Sequence, residues 1–309
     1  MKNRKLIIII SAVLTVVIAI PLIGVYAFMS SSVYNKELTF KANVKNVIDY
    51  ISTHGTPTID ELNNIDFYGN STDDSTVTIT FPEGLTVTEI AEKLEANGVC
   101  SKTEFLERVK NPSDELLNKL GITNKSERVF TLEGYIFPDT YEFYKGENVD
   151  SVIGRFTDNF LSKITDKDRA RAEALGYTMD EILTIASIIQ EEAGSDAQNG
   201  KVSSVLHNRL NTGTKIECDV TITYLEKHCK PYLDGGLTED HKNNYNTYKC
   251  DALPKGPICN PGYACIKAAL YPEATNYFYF VTDADWNYYY ATTWDEHVAN
   301  CHTAGIPGY

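Results

Sequence analysis

The chain is short of positive charge. It has 28 Lys and Arg against 42 Asp and Glu, a formal net charge of −14 over 309 residues. Lys2, Arg4 and Lys5 precede residue 29 with no acid among them, so the remainder carries −17. A surface of that sign repels phosphate backbones. It excludes nucleic acid as a partner and a second electrostatic grip on anionic lipid, and leaves a neutral or sugar-like ligand as the compatible class. Metal-site spacing is also missing. There is no Cys-x-x-Cys pair, and histidine is not interleaved with cysteine as in zinc sites, so no metal and no cofactor is expected. No internal repeat is present.

Charge is absent altogether from Leu6 to Met29. As a helix this run would span roughly 36 Å, enough for a bilayer core of about 30 Å. The three basic residues before it keep the N-terminus cytoplasmic and place the rest outside. A cleaved signal peptide is the rival, but its apolar core is usually shorter and Val25-Tyr26-Ala27 is a poor cleavage site. The expectation is a single-pass cell-membrane protein with its large C-terminal domain extracellular. In that oxidising setting, Cys218, Cys229, Cys250, Cys259, Cys265 and Cys301, clustered in the last third, could form up to three bridges. Alternatively they, and the isolated Cys100, are small buried hydrophobes.

What the chain does have is ordered along its length. Residues 1–5 are a cytoplasmic N-terminus, 6–29 the transmembrane helix, and 30–76 a juxtamembrane segment and spacer rich in Asn, Asp, Ser and Thr. A small unit follows over 77–127. Val77–Phe81 alternates as a strand, and Thr86 with Glu89 three residues on reads as a capping box. Ile90, Ala91 and Leu94 line the first helix; a second carries Phe105, Leu106 and Val109. One strand followed by two short helices resembles the glycan-binding LysM module. Residues 128–303 form the larger domain and 304–309 a tail. Within that domain, helices are expected over 151–160, 167–175, 179–193, 201–210, 263–270 and 293–301. Strands are expected over 277–282 and 288–291, and irregular chain over 211–261. The fold class is α+β: an N-terminal transmembrane helix, a small LysM-like subdomain and a mixed α/β catalytic domain.

One carboxylate stands out. In the segment 179–193, Ile182, Ile185, Ala186 and Ile189 recur at helical spacing, and the same stripe reaches Glu192. Glu191 continues the row Thr184, Ser187 and Ile188 on a more polar side. A carboxylate held against apolar surface has its pKa raised, which keeps a general acid protonated near neutral pH. The alternative is that the helix ends there and Glu192 turns to solvent.

Several phrases then converge on one family. They are Leu132–Tyr141 (LEGYIFPDTY), Ile185–Ala193 (IASIIQEEA), Lys201–Leu210 (KVSSVLHNRL), Asp219-Val220-Thr221, Tyr245–Tyr248 (YNTY), Leu253–Gly262 (LPKGPICNPG), Tyr277–Val281 and Thr292–His297. In this order they resemble the MltG/YceG-like endolytic murein transglycosylases over about residues 77–303. The resemblance implies cleavage of the β-1,4 bond between N-acetylmuramic acid and N-acetylglucosamine, leaving a 1,6-anhydro end. Glu192 aligns with the family's catalytic glutamate. Two departures are Gln190 where the family usually has glutamate, and Val220 where it has proline. The implied partners are peptidoglycan glycan strands and cell-wall synthases.

Other residues in the motifs have two readings each. Glu133 could act on substrate or bond backbone amides in a turn, and Asp219 could face the cleft or cap the next segment. Asn208 and Arg209 could bind substrate, or Arg209 could form a structural ion pair. Thr221 accompanies Asp219. Tyr245, Asn246, Thr247 and Tyr248 form a polar-aromatic cluster suited to stacking on sugar faces, though among twenty tyrosines any one can simply pack. His297 could be a cleft residue or a helix-end histidine.

Overall fold

Residues 76–250 and 252–308 are described by the structure, a computed structural model. The expected membrane span at 6–29 lies outside them, as does most of 30–76. Among the described residues no helix is long and apolar enough to cross a membrane.

Strand β1 (Thr76–Thr80) leads into α1 (Val87–Ala96), α2 (Lys102–Lys110) and α3 (Asp114–Leu120). The helix starts follow local chemistry. Thr86 and Glu89 form the capping box read in the sequence, and Ser101 and Ser113 cap α2 and α3. β1 pairs antiparallel with β2 (Thr140–Tyr144), from Thr76↔Tyr144 to Thr80↔Thr140. Its partner therefore lies past residue 127, and the first unit closes only at Tyr144. The sheet's inner side carries Ile79 and Phe143. Phe81, Phe143, Phe156 and Tyr141 pack around it with ring centroids 4.6 to 6.2 Å apart, tying the sheet to α4 (Val149–Lys163).

The rest is mostly helical: α5 (Asp166–Leu175), α6 (Met179–Glu192), α7 (Asp196–Asn211), a short α8 (Val220–Thr223) running into a π-helical turn (Tyr224–Cys229), α9 (Glu239–Tyr245) and α10 (Tyr263–Leu270). A hairpin of β3 (Tyr279–Thr282) and β4 (Tyr288–Ala291) is covered by α11 (Trp294–Ala304). α6 is the central element. Every residue from Ile182 to Ile189 is buried, and it packs against α10, α7, α5 and α8. Each fully buried Ile or Leu contributes about 1.5–3 kcal/mol, so the helix is fixed by its surroundings rather than by propensity. The side expected to be more polar is buried as well. Ser187 donates from Oγ to the Thr184 carbonyl and accepts from the Ile258 amide.

Between 211 and 261, where irregular chain was expected, the structure has α8, the π-helical turn and α9. Val220-Thr221-Ile222-Thr223 is β-branched throughout, a composition that disfavours a helix. It turns helical because the Asp219 carbonyl accepts from the Ile222 and Thr223 amides and Thr221 Oγ1 donates to the Cys218 carbonyl.

Candidate active site

Glu192 is the last residue of α6. Ala193 leaves the helix in an extended conformation, and Gly194 follows. Glu192 is half-buried, with protein atoms around its carboxyl. Its pKa is pushed up to about 7. Burial is the largest cause; a hydrogen bond from the Cys218 thiol opposes it, and the charges of Asp219 and Glu191 add to it. The adjacent helix C-terminus disfavours a negative charge in the same sense. Near pH 7 the group is thus close to half-protonated, where it can give a proton and take one back. Tyr288 in β4 secures the helix end: its hydroxyl donates to the Glu192 carbonyl at 2.6 Å and accepts from the Gly194 amide at 2.7 Å.

Two further carboxyls nearby have raised pKa values, and geometry separates them from Glu192. Glu133 is 1 % exposed. Its Oε1 accepts from the Val87 amide at the start of α1 and from Asn260, and its Oε2 from Tyr224. Burial outweighs these bonds and pushes its pKa to about 8. With both oxygens engaged and no access, it clamps α1 to the 257–260 segment and cannot reach a substrate. Glu191 is exposed, raised chiefly by burial of its carboxyl and lowered by a hydrogen bond from the Cys259 thiol. It lines a pocket of about 100 Å³ with Gly84, Thr86, Glu89, Thr223, Tyr224 and His228. That pocket opens between α1 and the π-helical turn, one residue along from Glu192, whose carboxyl does not line it.

The other expected residues divide clearly. Asp219 is exposed, and its charge is felt by Glu192. Tyr248, 44 % exposed, donates to Asp219 Oδ1 at 3.0 Å, so these two form an exposed pair near the acid. Thr221 and Thr247 are fully buried behind them. Thr247 Oγ1 accepts from the Cys218 amide, donates to the Cys218 carbonyl and lies 3.1 Å from Thr221 Oγ1. They hold the 218–219 backbone. Asn246 closes a turn by accepting from the Tyr248 amide. Tyr245 is buried against Tyr224, with ring centroids 5.6 Å apart, and is no sugar platform.

Asn208 donates to the carbonyls of Thr275 and Tyr277. Arg209 is buried and spends its guanidinium on the carbonyls of Phe278, Lys215 and Ile216 and on Glu217. Both therefore stitch α7 to the hairpin and to the chain before Cys218. His297 stacks on Tyr279 at 5.1 Å, its pKa lowered by burial and by Arg209. Cys218 and Tyr288 were not singled out in the sequence. Cys218 carried a signal in its position next to Asp219, whereas Tyr288 had none among twenty tyrosines. All seven cysteines are free, correcting the bridge reading. Two of them donate to the carboxylates at the end of α6.

A family model described as the YceG-like family matches residues 49–303. A Bacillus subtilis (strain 168) protein named endolytic murein transglycosylase is 30% identical over 230 residues, covering 71% of this chain and 62% of the relative. A Streptococcus pneumoniae serotype 2 (strain D39) protein of the same name is 26% identical over 242 residues, covering 72% of this chain and 44% of the relative. The chain thus spans less than two thirds of the length of these curated relatives. A solved structure of a yceG-like protein from Listeria monocytogenes superposes with a TM-score of 0.61 at 26% identity, covering 78% of this chain and 80% of that one.

Proposed function

The chain belongs to the YceG-like family, and from that premise we propose that it is a peptidoglycan lytic transglycosylase acting inside glycan strands. The observation that carries this reading is Glu192, a half-buried helix-end carboxyl with its pKa near 7. The names of the relatives support the same reaction class. The bond cut is the β-1,4 link from N-acetylmuramic acid to N-acetylglucosamine. Protonated Glu192 gives its proton to the glycosidic oxygen as the C1–O bond breaks. The carboxylate so formed takes the proton of the sugar's own C6 hydroxyl, whose oxygen closes onto C1. A 1,6-anhydro end results, no water is consumed, and Glu192 is protonated again. One carboxyl serves as acid and then base, whereas common glycoside hydrolysis needs two at a set separation.

Asp219 favours a second reading. It is an exposed carboxylate whose charge reaches Glu192, and a hydrolase could use the two together. Product mass separates the two, because an anhydro end is one water lighter than a reducing end. Uncrosslinked glycan treated with the full chain should carry anhydro ends; reducing ends would establish the hydrolase. The apolar run 6–29 would hold the protein in the cell membrane with the catalytic domain outside, confining cuts to strands near the membrane and beside the synthases. The unit at 76–144, β1 and β2 enclosing three helices, would serve as the LysM-like glycan contact.

A further inference from the structure

Trp286 occupies an unusual position for so large an apolar residue. It is 68 % exposed, at the tip of the β3–β4 hairpin, with φ at +61°. A bulky side chain in that left-handed region costs about 1–3 kcal/mol, and such strain persists only where the surroundings enforce it. Here Asp283 enforces it. Its Oδ1 accepts from the amides of Asp285 and Asn287, its Oδ2 from the Asn287 side chain and the Tyr289 hydroxyl, and its carbonyl from the Trp286 amide.

The strained turn lays the indole against Gly194. A Cβ built on Gly194 would lie 3.0 Å from Trp286 Cε3, so glycine lets the ring sit closer to the backbone than a side chain would. Gly194 is two residues past Glu192, and Tyr288 bonds both backbones. The ring thus lies against the residue two past the acid, with much of its surface bare. Packing alone would not leave it so exposed.

Resting on the reading of Glu192 as the acid of a glycan cleft, we propose that Trp286 is a sugar-binding platform, its bare face stacking on one pyranose ring of the strand next to the bond being cut. The C–H-rich face of a neutral pyranose suits an aromatic ring and needs no charge from the protein, in keeping with a strongly acidic chain.

The chain has two tryptophans, so a Trp294→Phe background makes Trp286 the sole indole emitter. Full-length protein in that background is titrated with peptide-free, uncrosslinked glycan strands, following emission and, separately, bound glycan. The expected result is a saturable change in Trp286 emission. Trp286→Gly should bind about tenfold more weakly, with its thermal midpoint unchanged or raised because glycine relieves the φ strain. Trp286→Phe should bind within about threefold of the parent. Glycan binding that saturates with unchanged emission, or Trp286→Gly binding within about twofold of the parent, would overturn the proposal, as would loss of binding in step with a lowered midpoint in both variants. Failure of the catalytic reading looks different: Trp286 emission responds to glycan while no cleavage, or only hydrolytic cleavage, is seen. Glycan that does not bind the parent at all overturns both.

Discussion

Around Glu192 two neighbours push in opposite directions. The Asp219 charge holds its pKa up, and the Cys218 thiol, donating to the carboxylate, holds it down. With Glu192 as the required acid, kcat/KM falls above its pKa, on an alkaline limb near pH 7. Asp219→Asn keeps an acceptor for the Tyr248 hydroxyl and removes the like charge, so the limb should move to lower pH. Cys218→Ala removes the donor and should move it higher. Two pH–rate profiles check this, and shifts of the same sign would mean another group titrates. Glu133 gives a stability test instead. Its folded pKa is raised from 4.5 to about 8, so between those values the folded state holds a proton that the unfolded chain has lost. Stability falls as pH rises through that window, by up to about 1.4 kcal/mol per pH unit, and levels off above it. Glu133→Gln, neutral at every pH, should flatten the Tm profile between pH 5 and 8 and melt no lower than the parent at pH 8. A variant that melts lower throughout would show that the ionised carboxylate is the form the clamp needs. At this scale Glu192 was legible in the sequence, because the stripe through Ile185 and Ile189 points to it. Glu133, Arg209 and Thr247 were visible only as motif members. That they brace the site depends on partners up to 127 residues away, such as Asn260 for Glu133.

Among elements, long helices were the readable part. Tyr263–Leu270 and the body of α6 follow apolar spacing over two or more turns, and α1 announces itself by its capping box. β2 was hidden because its partner lies some sixty residues upstream, and α8 because four β-branched residues turn helical only through bonds around Cys218 and Asp219. The turn before β2 carries a requirement of its own. Gly134 has φ +89°, and a Cβ there would fall 2.4 Å from Pro257 Cγ. Gly134→Ala should destabilise by about 2–4 kcal/mol in urea unfolding, combining left-handed strain with a clash the proline ring cannot avoid. A loss below about 0.5 kcal/mol would mean that the 257–260 segment is not held against this turn as tightly as the contacts imply.

Over the whole molecule, charge and composition excluded partners more firmly than they identified one. The acidic balance argues against nucleic acid, and the proposed reaction class rests on ordered motifs and on Glu192. The helices converge so that the end of α6 meets Cys218 and Asp219 on one element and Tyr288 of the β3–β4 hairpin on another. The central claim is that one carboxyl acts as acid and then base. It is tested most directly by incubating full-length protein and its Glu192→Gln variant side by side with uncrosslinked glycan strands and weighing the products by mass spectrometry. The expected result is 1,6-anhydro ends from the parent and none from a variant that melts like it. Undiminished anhydro ends from the variant would contradict the account.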